Sequence, residues 1–236
     1  MLVAAAVCPC PPLLVPEVAA GAAPELDGLR AACADAVGVL AAARPDRLVV
    51  VGPGARPGPA VHPAGTPGSF RPFGVPLDVR LGAAAAPPGD AEPLPSALAV
   101  AAWLLRGWGA APVEGLAVGE GLAPERCAAA GRAAADSVGR LAMLVMGDGS
   151  ACRSPKAPGY LDGRAEPFDS AVAKALGSAD TAALAALDPG LARQVKAAGR
   201  APWQVLAAAG APAGLSGRLL YDAAPYGVGY VTAVWS

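Results

Sequence analysis

Short apolar runs alternate with segments of helical periodicity along most of this chain. The apolar runs, which predict buried strands, are Leu2 to Val7, Arg47 to Val51, Val113 to Val118 and Leu141 to Val145. Apolar residues at helical spacing predict helices over about 24–43, 94–108, 124–138 and, with interruptions, 165–209. Two closing segments, 218–221 and 228–235, alternate like strands of a sheet.

This alternation predicts an α/β fold: a single three-layer α/β/α domain over residues 1–236 with a mostly parallel central sheet. A short strand pair is expected over 73–81 and a flexible connector over 83–93. Where the carboxyl ends of parallel strands are adjacent, the loops that follow them share a cleft. The loops that we expect to meet in this way are Cys8 to Pro12, Gly52 to Ser69 and Gly147 to Arg164.

Composition and charge exclude several classes of function. The net charge is −1 with acids and bases interspersed, and no basic run is dense enough to follow a nucleic-acid backbone. No stretch approaches the roughly 20 strongly apolar residues that a membrane span requires. The apolar start of the chain lacks a basic flank and is shorter than the core of a signal peptide. We therefore expect a cytoplasmic protein with neither nucleic-acid nor membrane partners.

The chain contains five scattered cysteines and a single histidine, His62. An odd and scattered set of cysteines is not typical of a secreted disulfide framework. Cys33 and Cys127 fall in Ala-rich helical segments, where we expect them to be buried. With one histidine, a metal site built from several histidines is impossible. His62 lies in a segment rich in Gly and Pro, which predicts a solvent-exposed loop.

The most polar loop follows the strand predicted at 141–145 and precedes an Ala-rich helix. The carboxyl end of such a strand is where open α/β sheets place their ligands. Pro155, Pro158 and local hydrogen bonds from Asp and Ser offer a purely structural interpretation of the same loop. The side chains it presents are Asp148, Ser150, Cys152, Arg153, Lys156, Tyr160 and Asp162.

Four short motifs occur in an order that can be compared with that of known families. They are Cys8-Pro9-Cys10-Pro11-Pro12 after the first strand, Val50-Val51-Gly52-Pro53 at the end of the second, Gly147-Asp148-Gly149-Ser150, and a closing Leu220-Tyr221-Asp222 with Gly227-Val228-Gly229-Tyr230. In this order they resemble the catalytic subunits of the class III extradiol ring-cleavage dioxygenases, whose superfamily includes the Memo-like proteins. The resemblance implies cleavage of catechol-type aromatic rings at a non-haem Fe(II), held by two histidines and one carboxylate. It also implies a further histidine that acts as acid and base.

This chain has other residues at most positions where the resemblance implies a ligand. Cys10 stands at the place of the first ligand histidine, and Ala151 at the place of the acid/base histidine. The second ligand position falls in Gly52 to Ala55, so His62 further along is the candidate there. Asp222 is the candidate carboxylate. The implied metal site is therefore Cys10, His62 and Asp222, in which a thiolate favours zinc or copper(I) over Fe(II).

The same resemblance and the polar loop also indicate which residues would contact the substrate. The candidate catalytic residues are Asp148, Ser150 and Lys156, and the candidate substrate-binding residues are Arg153, Tyr160 and Tyr226. An arginine presents a bidentate fork and a lysine a point charge, and either suits a carboxylate or an enolate-like anion. The ligand implied is a small aromatic diol or a related molecule.

Three functions stay open from the sequence. The first is metal-dependent oxygenation whose activity is altered or lost, because the histidines are replaced. The second is a non-catalytic, Memo-like binding or scaffold protein, which the loss of the histidine at Ala151 favours. The third is a thiol-dependent enzyme that uses Cys10 or Cys152. A homo-oligomer, or the small partner subunit that some family members need, stays open under each of them.

Overall fold

A computed structural model describes residues 1–84, 92–136 and 139–236. Its strands are β1 (Leu2–Cys8), β2 (Arg47–Gly54), β3 (Ala60–His62), β4 (Pro67–Ser69), β5 (Asp78–Arg80), β6 (Val113–Gly119), β7 (Leu141–Met146), β8 (Gly217–Ala223) and β9 (Tyr230–Trp235). Its α-helices are α1 (Pro16–Ala19), α2 (Asp27–Ala42), α3 (Ser96–Leu104), α4 (Pro124–Asp136), α5 (Ala165–Gly177), α6 (Thr181–Ala185), α7 (Pro189–Gln194) and α8 (Arg200–Gly210). Most of the predicted connector and the last two residues of the helix predicted at 124–138 lie outside the described residues.

Within the described residues, seven strands form one central sheet in the order β3-β6-β2-β7-β1-β9-β8. Strands β6, β2, β7 and β1 are parallel neighbours. Antiparallel strands extend both edges, with β3 beside β6 on one side and β9 and then β8 beside β1 on the other. All six residues of β7 are buried, as expected of a central parallel strand covered on both faces. The predicted α/β fold with a mostly parallel central sheet is confirmed.

Helices cover both faces of this sheet because its strand residues alternate between two apolar cores. Leu48 and Val50 of β2 belong to the core under α2 and α3. Val49 and Val51 belong to the opposite core, under α4, α5 and α8, where Trp203 is fully buried. The arrangement is therefore the three-layer α/β/α sandwich that the sequence pattern predicts.

Capping residues divide the long helical segment predicted over 165–209. The side chain of Asp180 accepts a hydrogen bond from the amide of Ala183 at 2.9 Å and begins α6. The side chain of Asp188 accepts one from the amide of Leu191 and begins α7, with Pro189 at the first helical position.

None of the helices in the described ranges has both the length and the apolar character needed to cross a membrane.

The segment from Gly52 to Ser69 is not the long open loop that the sequence predicts. Strand β2 continues to Gly54, because Gly52 to Gly54 pair with the end of β6. His62 lies in β3, opposite Gly115 of β6, and only 5% of its surface is exposed. The prediction of a solvent-exposed loop histidine is wrong, since this short strand pairs with the edge of the sheet and turns the imidazole inward.

The strand pair predicted within residues 73–81 is also different in the structure. Only β5 forms there, and its partner is β4, so that Gly68 lies opposite Val79. This two-stranded sheet packs on α3. The pairing joins segments on either side of a turn at Arg71–Phe73, whereas the prediction placed both strands after that turn.

Candidate functional site

The carboxyl ends of β1 and β7, which are parallel neighbours, are where the topology of the sheet places a crevice, and we use that word for the region around them. The chain leaves β1 toward α2, which packs in the core on one face of the sheet. It leaves β7 toward α5, which packs in the core on the other face. Neighbouring parallel strands whose following helices go to opposite faces leave a gap where open α/β sheets bind their ligands. Two of the three predicted loops, those after β1 and β7, meet there.

Asp148 and Cys10 join these two loops. The backbone amide of Cys10 donates to Oδ1 of Asp148 at 2.7 Å. One step earlier, the amide of Gly147 donates to the carbonyl of Cys8 at 3.0 Å, which extends the pairing of β1 and β7. The thiol of Cys10 also interacts with the Asp148 carboxyl. Asp148 is thus fixed between the two loops by the residue that the resemblance places at a ligand position.

The crevice holds one ionisable group that titrates close to neutral pH. Burial raises the pKa of Asp148 to about 6, against the lowering effect of its hydrogen bonds from Cys10. Burial and the nearby Asp148 charge raise the pKa of the Cys10 thiol well above its usual value. The same two causes raise the pKa of the Tyr230 hydroxyl. At neutral pH the crevice therefore presents a carboxylate acceptor beside a neutral thiol and a neutral phenol.

Ser150 is part of a buried anchor and not an accessible nucleophile. Its amide donates to Oδ1 of Asp169 and its hydroxyl to Oδ2, each at 2.7 Å. Arg153 donates to the same carboxylate at 3.2 Å. Because Ser150 is fully buried and its proton is committed to Asp169, the hydroxyl holds the loop in place. In the structure Ser150 and Arg153 hold Asp169, and the catalytic role of Ser150 and the substrate-binding role of Arg153 stay predictions.

Two glycines let the chain close around Asp169. A Cβ atom at Gly149 would lie 2.7 Å from Oδ1 of Asp169, and one at Gly229 would lie 2.5 Å from Oδ2. The backbones of the two glycines are joined, since the amide of Gly149 donates to the carbonyl of Gly229 at 2.7 Å. The Gly-Asp-x-Ser motif and the Gly-Val-Gly-Tyr motif therefore meet on one carboxylate. Any side chain at either glycine would displace it.

Sequence analysis missed Asp169, although one signal for it was present. Asp169 follows Phe168 on the buried side of α5, a side that also carries Val172. An acidic residue in the apolar phase of a helix is rarely buried without a partner. Searching for that partner in the adjacent polar loop leads to Ser150 and Arg153.

The remaining predicted groups on the substrate side do not converge on the crevice. Lys156 is exposed, and Tyr160 is 66% exposed with a left-handed φ of 63°. The hydroxyl of Tyr226 donates to Glu25 at 3.0 Å. Tyr226 also acts electrostatically on Tyr230 in the crevice.

The structure does not bring the predicted metal ligands together. Cys10 lies just after β1, His62 in β3 and Asp222 in β8. Strands β3 and β8 are the opposite edges of the sheet, and six strand spacings of about 4.8 Å put them roughly 29 Å apart. Among the described residues no group of three or more His, Cys, Asp or Glu side chains is placed to hold a metal ion. The residues present do not fit the facial triad that the resemblance implies for Fe(II).

The environment of His62 is separate from the crevice. Burial lowers the pKa of its imidazole, and the groups that act on it are Glu92 and Arg56. It lines a cavity with both of these residues. The loop after β2 therefore contributes no side chain to Asp148, contrary to the expectation that all three loops would meet.

A groove of about 880 Å³ lies between the β4–β5 pair and the end of α3. None of the residues predicted from the sequence as catalytic, substrate-binding or metal-binding lines it. Its walls include the apolar Leu77 and Leu105 and the acidic Asp78. The carboxylate of Asp78 is paired with Arg71 at 2.9 Å, and this partner lowers its pKa to about 2, so it does not titrate near neutral pH. We therefore place the candidate site at Asp148, because a carboxyl that titrates near neutral pH lies there at the carboxyl ends of β1 and β7.

Comparisons with protein-family models and with curated proteins found no match for this chain. The likeness to class III extradiol dioxygenases rests on the motifs alone. In the structure, three of those motifs are neighbours: Cys10 bonds to Asp148, and Gly149 bonds to Gly229.

Proposed function

We propose that this chain binds a small hydroxylated molecule, of the aromatic diol class, at Asp148 and without the iron of the enzymes it resembles. The observation that carries the proposal is the Asp148 carboxyl itself. It stands at the switch point between β1 and β7, held on the amide of Cys10 at 2.7 Å. Burial raises its pKa to about 6, and no cation acts on it among the described residues. Such a carboxylate can accept a hydrogen bond from a ligand hydroxyl.

The resemblance supplies the class of ligand, and the geometry of the donors supports a metal-independent mode. His62 and Asp222 lie at opposite edges of the sheet, so only Cys10 of the three implied ligands is at the crevice. Without the histidine that the resemblance expects at Ala151, Asp148 is the only described group there that titrates near neutral pH. The chain thus fits a binding protein better than a ring-cleaving enzyme. Asp148 is also the group that would take or return a ligand proton.

Burial argues against a thiol-dependent enzyme. Cys10 is 7% exposed and Cys152 is 1% exposed. Burial raises the pKa of both thiols, and the thiolate is the reactive form. Cys152 also contacts the carbonyl of Gly159 at 3.5 Å, in the interior of the polar loop.

Catechol binding in the presence of a chelator tests the proposal. We expect catechol to raise the melting temperature of the wild-type protein, and Asp148→Asn to weaken binding by roughly tenfold or more, because a charge-assisted hydrogen bond is lost. Asp35→Asn, an exposed carboxylate of α2, is the matched control and should bind as the wild type does. Affinity should also fall as the pH drops through about 6, where Asp148 takes up a proton.

Two results would contradict the proposal. If catechol binds only after Fe(II) is added, and oxygen is then consumed, the iron-dependent enzyme is the better description. If Asp148→Asn binds catechol as tightly as the wild type does, the crevice at Asp148 is not the binding site.

A further inference from the structure

A separate cavity, of about 580 Å³, lies at the start of α8. The described side chains that line it include three cations, Arg193, Lys196 and Arg200, and one acid, Glu120. Neither Cys10 nor Asp148 lines it. The two places are nevertheless neighbours, since the amide of Gly199 donates to the backbone carbonyl of Asp148 at 2.9 Å.

Arg200 is a buried cation with no carboxylate beside it among the described residues. Its side chain is 2% exposed. One terminal nitrogen donates to the carbonyl of Leu122 at 2.6 Å and to the side chain of Gln204 at 3.0 Å. The other terminal nitrogen donates to the carbonyl of Glu120, and Nε has no partner within the same described residues. All of these acceptors are neutral.

No ion pair in the described parts of the chain involves Arg200, Arg193 or Lys196. Removing a guanidinium from water is unfavourable unless a counter-charge compensates it. The carboxylate of Glu120 is on an exposed residue, and it is the backbone of this residue that Arg200 contacts. The fold therefore buries the positive charge of Arg200 at the wall of a cavity. An anion that enters this cavity would supply the missing counter-charge.

The backbone at the start of α8 adds to the positive electrostatic potential of these three side chains. Helix α8 has 11 residues, and its N-cap residue Gly199 provides no side-chain cap. The first amides of a helix and its dipole attract anions. A helix start beside a buried guanidinium charge and a lysine is a common way of attracting phosphate oxygens.

We infer that this cavity binds the phosphate group of a small anionic molecule. Arg200 supplies the fixed, buried charge, and Lys196 and Arg193, both exposed, close over the anion from the rim. The inference does not depend on the function proposed for Asp148, because the two sites have different linings and bind different chemical groups.

Inorganic phosphate is the probe that tests the inference. We expect phosphate to raise the melting temperature of the full chain above that in chloride of equal ionic strength, and calorimetry to show saturable binding. Replacing Arg200 risks unfolding because that side chain is enclosed, so the test variant is Lys196→Gln, at an exposed position. It should weaken phosphate binding about tenfold. Lys174→Gln, an exposed lysine of α5, should leave binding unchanged.

Three outcomes would overturn the inference. Phosphate and chloride could stabilise the protein equally, which would show ionic screening alone. Lys174→Gln could weaken phosphate binding as much as Lys196→Gln does, which would show a diffuse charge effect. Asp148→Asn could abolish phosphate binding, which would place the anion at the other crevice; if that variant instead loses catechol and keeps phosphate, the two sites are separate.

Discussion

The half-buried Asp148 and the buried Asp169 are two carboxylates that serve the same polar loop in different ways. Asp169 is 1% exposed and uses both oxygens, toward the amide and hydroxyl of Ser150 and toward Arg153. Asp148 has its hydrogen bonds from Cys10 alone and no basic partner among the described residues. Burial raises the pKa of both groups, but only around Asp169 do a cation and a hydroxyl oppose it.

The difference separates a carboxylate that holds the fold from one that is available to a ligand. A saturated, ion-paired carboxylate has little capacity left for a new partner. A carboxylate with one fixed oxygen and no counter-ion can still accept a hydrogen bond from a ligand. Keeping it in the fold lowers the stability of the protein. Stability measurements can therefore distinguish the two roles before any ligand is known.

The largest effect is expected for Asp169→Ala. This change leaves the buried amide and hydroxyl of Ser150 without acceptors and leaves Arg153 with only the exposed Glu166, at 3.7 Å. We expect the free energy of unfolding to fall by about 3–5 kcal/mol, measured by urea titration. Glu166→Gln is the matched control and should change it by less than about 0.5 kcal/mol. Near-wild-type stability of Asp169→Ala would show that this anchor does not hold the loop.

An effect of opposite sign is expected for Asp148→Asn. The folded-state pKa is about 6, above the ordinary 3.8, so the folded protein binds more protons than the unfolded chain between these values. The protonated carboxyl of Asp148 therefore makes its full contribution to the free energy of unfolding below about pH 3.8. That contribution is lost as the pH rises through about 6. Asparagine carries no charge and can still accept the amide of Cys10. At neutral pH the variant should thus be more stable by up to about 3 kcal/mol.

Urea titrations of the wild type and Asp148→Asn across this pH range measure that effect. The gap between the two proteins should close as the pH is lowered. A variant that is less stable than the wild type at neutral pH would show that Asp148 is a structural carboxylate like Asp169.

Much of the fold follows from local pattern, and so does one half of the candidate site. The apolar runs that became β1 and β7 are continuous and end at Pro9 and at Gly147. Parallel neighbours bring their loops together, so the meeting of Cys10 with Asp148 could be predicted from topology alone. The two strands depend on residues close to one another in the sequence, whereas the contact of Cys10 with Asp148, 138 positions apart, follows from the parallel pairing of β1 and β7.

The parts that sequence analysis missed depend on distant partners. Strand β3 has three residues, Ala60 to His62, next to prolines, and it exists because the edge of β6 is there to pair with it. Asp169 and Arg200 are charged residues in helical segments, which read as solvent-exposed positions until their burial is known. Their roles arise from contacts with Ser150 and with the carbonyl of Leu122, the latter 78 positions away in sequence.

A smaller loss is expected for Ser150→Ala, which sharpens the comparison within the Asp169 anchor. The variant removes the donor to Oδ2 of Asp169, while the amide of residue 150 and Arg153 still reach the carboxylate. We expect destabilisation of about 1–2 kcal/mol by urea titration. Catechol affinity should stay at the wild-type value, because Ser150 is fully buried and bonded away from the crevice. A large loss of ligand affinity with unchanged stability would restore Ser150 as a ligand-binding group.

The smallest effect is expected for Lys156→Glu, which probes the rim of the same loop. Lys156 is exposed, and none of the hydrogen bonds or ion pairs found in the described ranges involves its side chain. Reversing an isolated surface charge should shift the free energy of unfolding by no more than about 0.5 kcal/mol. Lys156 is not among the groups that act on Asp148, so catechol affinity should also stay at the wild-type value. A marked drop in catechol affinity for Lys156→Glu, with stability unchanged, would mean that the ligand extends from the crevice onto the loop surface, and that Asp148 alone does not define the site.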